Sequence, residues 1–138
     1  MMISTKGRYA LRFLVDIGQN QGDGYVPLKD VARRQDISEK YLEIIVKILV
    51  QGGLLTTLRG KGGGYRLSRV PGDYPLREVL ELTDGPLSPV VCLESGASGC
   101  KRRADCPTLP LWQGLDRVIC DYMERFTLAD LLDGSLAT

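Results

Sequence analysis

Apolar residues recur along the first half of the chain at three- and four-residue steps, broken by short polar or glycine-rich stretches, and that period predicts a series of helices. Tyr9, Phe13, Leu14 and Ile17 form one stripe, ended by Gly22-Asp23-Gly24. Leu28, Val31 and Ala32 form a second, interrupted at Asp36-Ile37. Ser38 then offers a hydroxyl to the orphan amides of a new helix. In that helix Leu42, Ile45, Ile48 and Leu49 share one face, while Lys40, Glu43 and Lys47 share another. After Gly52-Gly53 the composition changes: Leu54 to Leu58 and Tyr65 to Leu67 suit strands, joined by the tip Arg59-Gly60-Lys61-Gly62-Gly63-Gly64. Tyr25-Val26-Pro27 is extended and placed to add a short third strand. Helix, turn, helix and hairpin together predict a winged helix-turn-helix.

Beyond the turn at Pro71-Gly72-Asp73, Pro75 opens a short helix through Leu82 with Leu76, Val79, Leu80 and Leu82 inward, closed by Asp84-Gly85-Pro86. Residues 84–110 then carry no period, many glycines, prolines and charges, and three of the four cysteines. Such a loop is too long to be idle in a small domain. From Leu111 to Phe126 the helical pattern returns strongly, through Leu111, Trp112, Leu115, Val118, Ile119, Tyr122, Met123 and Phe126. That stripe is wider than one winged domain needs, and predicts pairing with the same helix of a second copy. Thr127 and Asp130 then open a last short helix, Leu128 to Leu132, with a capping-box pattern. The expected fold is mainly α within an α+β class: a winged helix-turn-helix DNA-binding domain over 1–83, a cysteine-containing effector loop over 84–110, and a dimerisation helix with a short C-terminal helix over 111–138.

Charge sharpens this picture. The 138 residues, 43% apolar, suffice for one core, and the net charge is only +1. Residues 1–70, however, hold 12 Lys/Arg against 6 Asp/Glu, a balance of +6, whereas residues 71–138 hold 6 against 11, a balance of −5. The N-terminal half has the footprint of a polyanion binder. Arg59 and Lys61 sit on the wing tip with Arg66 and Arg69 behind them, among glycines that let backbone approach a partner closely. The expected DNA-contacting set is Lys6 and Arg8 of the first helix, Leu28, then Ser38, Glu39, Lys40, Tyr41, Glu43 and Lys47, and Arg59, Gly60, Lys61, Gly62, Gly63 and Tyr65 of the wing. Arg12 shares a face with Arg8. No histidine is present, no phosphate loop, and no carboxylate pair in a convincing context, which speaks against an enzyme. With no stretch apolar enough to span a bilayer and no cleavage site near the start, the expectation is a cytoplasmic protein without a membrane partner.

Cys92, Cys100 and Cys106 are separated by seven and then five residues, which lets three thiolates converge from one loop. Soft thiolate sets favour an iron–sulfur cluster or zinc; redox-active thiols and inert cysteines are the other readings. The fourth ligand is open. Glu94 and Asp105 lie close in sequence, and a thiol, water or small molecule would also serve. Cys120, on the inner face of the long helix, reads as core packing.

ISTKGRYAL at the start, ISEKYLEIIV in the second helix of the motif, LRGKGGGYRL in the wing and the three-cysteine loop together resemble the Rrf-two family of winged-helix transcription regulators, the IscR, NsrR and CymR group, over nearly the whole chain. DGPLSPV followed by Cys-Leu-Glu is most similar to its CymR-like branch, the repressors of cysteine metabolism. The resemblance implies a homodimer joined through the long C-terminal helices on a pseudo-palindromic operator in double-stranded DNA. It places the second motif helix in the major groove, through Ser38, Lys40, Tyr41 and Glu43, and Arg59 in the minor groove. Glu43, an anion beside Lys40, is expected to accept from a cytosine amino group or to order a basic neighbour. Cluster-binding relatives complete their site with a histidine just after the third cysteine or an acid from the partner's first helix; Leu109 and Arg8 stand there instead. The implied function is a repressor that senses an iron–sulfur cluster, redox or cysteine status. The alternative is a regulator controlled by a cysteine-synthesis enzyme, with no metal cluster.

Overall fold

The computed structural model describes residues 2–93 and 102–136. Helix α1 (Thr5–Asn20) leads into α2 (Leu28–Gln35) and α3 (Glu39–Gln51), then the hairpin β1 (Leu55–Leu58) and β2 (Gly64–Leu67), α4 (Leu76–Asp84), the long α5 (Leu109–Arg125) and α6 (Leu128–Asp133). Two single 3-10 turns, Pro71–Asp73 and Val91–Leu93, punctuate the connections.

The helix starts follow local chemistry. Ser4 Oγ accepts from Gly7 N at 2.9 Å and Ser38 Oγ from Tyr41 N at 3.1 Å, each hydroxyl satisfying an amide the first turn leaves free. Between α2 and α3 the chain turns at Asp36, whose φ of 54° is left-handed and among the few conformations that a short acidic side chain tolerates. One apolar cluster then gathers Phe13, Leu14 and Ile17 of α1, Val31 of α2, Leu42, Ile45, Val46 and Leu49 of α3, and Leu54 and Leu67 of the hairpin base. Val46 takes the inward place expected of Ile48, which is only half-buried.

The hairpin is antiparallel, with Leu55 opposite Leu67 and Leu58 opposite Gly64. Val26 and Tyr65 exchange both backbone hydrogen bonds at 2.8 Å, so the expected third strand exists as a single bridge. A Cβ on Gly64 would strike the Val26 carbonyl, so only glycine lets that segment lie across the wing. Arg66 donates to Gly24 O at 2.9 Å, and Arg69 pairs with Glu78 at 2.8 Å. Both arginines behind the tip therefore serve the fold.

Tyr74 is wholly buried, and its hydroxyl gathers three backbone groups: it donates to Leu54 O at 2.7 Å and accepts from Ser68 N at 2.9 Å and Arg69 N at 3.2 Å. Entry and exit of the wing thus close on one side chain. The residues around it also receive the C-terminal segment, since Leu76 N donates to Phe126 O at 2.9 Å and Leu128 N to Tyr74 O at 3.0 Å. Thr127 N donates to Asp130 Oδ2 at 2.8 Å, the expected capping contact, and α6 lays Leu128 fully into the core of the winged head.

Helix α4 runs two residues beyond the expected Leu82, to Asp84, because the Asp84 carboxylate has a partner. It accepts from Ser4 N at 2.9 Å and from Ser4 Oγ, at the positive end of α1. Gly7 leaves room for it; a Cβ there would lie 2.9 Å from the carboxylate. Leu82, expected inward, is instead 36% exposed and rests on Gly52. Helix α5 begins at Leu109, earlier than its stripe suggests, and buries none of its residues fully. Its apolar stripe divides: Trp112, Ile119, Met123 and Phe126 are half-buried, while Leu111, Leu115, Val118 and Tyr122 are exposed. Cys120 is half-buried rather than packed in a core, and burial pushes its thiol up from the ordinary range.

Candidate nucleic-acid interface and cysteine loop

A polar network joins α1 to α2, and α3 meets it through the ring of Tyr41. The Asp16 carboxylate, 1% exposed, accepts from Arg34 at 2.7 and 3.0 Å and from Gln35 Nε2 at 2.9 Å. Burial alone would raise the Asp16 pKa, but hydrogen bonds from Arg34 and Gln35 and the Arg34 charge outweigh it and hold the carboxyl below its usual range. Gln35 passes the order on, its Oε1 accepting from Arg12 Nε at 3.0 Å. Arg12 lies over the Tyr9 ring at 5.1 Å, and Tyr9 meets Tyr41 edge to face at 5.7 Å. Arg12, read in the sequence only as sharing a face with Arg8, is thus engaged with the protein.

With α3 fixed, Ser38, Glu39, Lys40, Glu43 and Lys47 are all exposed on its outer side. A cleft of about 710 Å³ separates that side from the wing. Leu28, Glu39, Glu43, Lys47, Arg59, Gly63 and Tyr65 line it, so the structure brings these expected residues together. Lys29 and Leu58 join them unanticipated, because an isolated lysine at a helix start and the last residue of a strand carry no distinguishing pattern. Gly60, Lys61 and Gly62 stand exposed on the tip, and Lys40 lies outside the cleft lining. The Ser38 oxygen accepts the capping bond from Tyr41 N, which leaves its O–H exposed as a donor, and Tyr41 is half-buried against Tyr9. Lys6 and Arg8 belong to the first turn of α1, away from the cleft; Arg8 is exposed and donates to Thr5 Oγ1 at 3.0 Å.

The cysteine loop is described at both ends. Cys92 and Cys106 are half-buried, while Cys100 and Glu94 lie outside the described residues. Arg103 Nη1 donates to Cys92 O at 2.8 Å, tying the two ends together. Cys106 Sγ is 3.1 Å from Thr108 Oγ1, and that hydrogen bond chiefly holds the thiol below its ordinary pKa. Among the described residues no three acidic or thiol side chains are gathered for a metal. None of the described helices is long and apolar enough to cross a membrane.

A family model, Rrf2, described as an iron-dependent transcriptional regulator, matches residues 3–134. The chain belongs to the Rrf2 family. Rrf2 membership makes it a winged-helix, DNA-binding transcription regulator, and its relatives are regulators rather than enzymes. It is 35% identical over 133 residues to the transcriptional regulator IscR of Klebsiella pneumoniae, covering 96% of this chain and 80% of that one. The structure of CymR, the global cysteine regulator of B. subtilis, superposes with a TM-score of 0.77 at 32% identity, covering 96% of this chain and 97% of that one. T. potens IscR superposes with a TM-score of 0.76 at 31% identity, covering 98% and 88%. The Rrf2 likeness thus extends to IscR and CymR in nearly equal measure.

Proposed function

We propose that this protein is a homodimeric repressor whose two heads take the half-sites of a pseudo-palindromic operator in double-stranded DNA, and whose cysteine loop makes that binding depend on iron–sulfur, redox or cysteine status. The observation that carries the DNA-reading part is the single concave surface shared by α3 and the wing, with Lys47 and Arg59 on its two sides. A helix face of this kind suits the major groove and a cationic, glycine-bounded tip the minor groove. Glu39 and Glu43 line the same cleft, an arrangement poor for neutralising phosphates but suited to accepting from base amino groups. The second copy answers the exposed line Leu111, Leu115, Val118 and Tyr122, spaced along α5 at three- and four-residue steps.

Three thiols on one loop are the donor chemistry that an iron–sulfur cluster takes. Cys106 is biased toward thiolate, the ligating form, by Thr108. Arg103 keeps the Cys92 segment beside the approach to α5. Cys92, Cys100 and Cys106 would hold an iron–sulfur cluster, with an oxygen of Asp105 or Glu94 or an exchangeable molecule in the fourth place. Such a group supplies iron–thiolate bonds that oxygen or iron loss breaks. The same lowered Cys106 pKa, with the likeness to CymR, supports a second reading, a redox-reactive thiol and control by a cysteine-synthesis enzyme without metal. Iron and sulfide assays with an absorbance spectrum on protein purified without air decide between them. Iron and acid-labile sulfide in comparable amounts are expected, and vanish in the Cys100→Ala/Cys106→Ala double variant; protein with neither iron nor zinc transfers the sensor to the thiols or a partner.

A further inference from the structure

Among the apolar side chains of α3, Leu42, Ile45, Val46 and Leu49 enter the core, whereas Ile44 is 54% exposed. It follows Lys40 by four residues and precedes Lys47 by three, so the three side chains share one face, and both lysines are exposed as well. Ile44 does not line the cleft toward the wing. It therefore belongs to the part of α3 that a DNA groove, rather than the protein's own hairpin, would cover. Lysines on either side keep water there in the free protein, and an isoleucine gains nothing from it.

The edges of the bases in the major groove are polar with one exception, the 5-methyl group of thymine. A branched, conformationally stiff side chain between two cations matches that exception: the lysines meet phosphates or guanine edges, and the apolar centre excludes water from the methyl. A polar base edge beneath Ile44 would instead lose its water without gaining a partner. We propose that Ile44 is a specificity-determining residue that reads a thymine 5-methyl group in each operator half-site, an inference that rests on α3 being the helix that enters the groove.

The test uses the full chain and a duplex that it selects from a random pool in vitro. Each thymine is replaced in turn by deoxyuridine, which deletes the methyl and leaves base pairing intact. At one thymine per half-site the wild type is expected to lose about fourfold in affinity, and roughly fifteenfold when both half-sites are changed, the scale of burying one methyl group in each. Ile44→Ala should bind the unmodified duplex more weakly and lose nothing further at that thymine, while Lys40→Ala should keep the deoxyuridine sensitivity. Wild-type indifference to every replacement overturns the proposal and leaves groove entry by α3 standing, and so does an Ile44→Ala variant with undiminished sensitivity. Failure to select any duplex overturns both.

Discussion

Replacing Tyr74 with Phe removes one oxygen from the molecule and disconnects the base of the wing. The hydroxyl is the hydrogen-bond partner of the Leu54 carbonyl and of the Ser68 and Arg69 amides. Leu54 is fully buried, so its carbonyl loses a partner in a dry place, whereas Ser68 is exposed and its amide recovers some water. At about 1–3 kcal/mol for each buried group left unsatisfied, and with partial recovery at the hairpin exit, the loss is roughly 2–3 kcal/mol. For a urea dependence of about 1–3 kcal/mol per molar, the unfolding midpoint falls by roughly 0.7–3 M at fixed protomer concentration, with an unchanged slope. The same substitution should loosen the placement of Arg59. In a double-mutant cycle on operator affinity, Arg59→Ala should then cost less in the Tyr74→Phe background than in the wild type. A midpoint that stays put, or strict additivity within about 0.3–0.5 kcal/mol, would falsify the assignment of Tyr74 as the wing's anchor.

Arg59→Ala alone should weaken operator binding more than Lys61→Ala, which should mainly flatten the log–log salt dependence by about one unit; equal effects of the two in salt titrations would count against a groove contact by Arg59. Val118, 65% exposed on α5, is the most direct test of the dimer: Val118→Asp should place unpaired charges in the seam at a cost of several kcal/mol and yield a monomer in sedimentation velocity, so a persisting dimer refutes that face. The Asp16 carboxyl is more acidic folded than unfolded, so its contribution is present at neutral pH and fades as pH falls through the carboxylate range. Asp16→Asn should accordingly lower stability at pH 7 and flatten the acid limb of the stability profile; an unaltered limb in urea titrations at several pH values rules out this role.

What could be read from the sequence was what is written locally. Ser38 caps α3, Thr127 and Asp130 open α6, and the alternation around the glycine-rich tip gives the hairpin, because each signal spans only a few residues. Lys47 and Arg59 meet at one cleft because those elements formed as expected. The misreadings concern pairings distant in sequence. Arg66 and Arg69 look like wing cations until Gly24 and Glu78 arrive beside them from elsewhere in the chain. Arg12 looks free until Gln35 folds next to it. The stripe on α5 reads as one face, yet it has two, since Ile119 and Met123 are half-buried while Val118 stands outside. Tyr74 carries no local mark at all; its three partners are fixed only when hairpin and core close together.

The Asp84 contact makes α1 a lever. As a rod of 16 residues, it is about 24 Å long, so a swing of roughly 3° about its far end displaces Ser4 by about 1 Å. One arm ends on Asp84, at the threshold of the cysteine loop; near the other end sits Asp16, which grips α2 through Arg34 and Gln35. The threshold of the cysteine loop and the helix that carries Arg34 and Gln35 are thus tied to the two ends of one rod, each through a carboxylate.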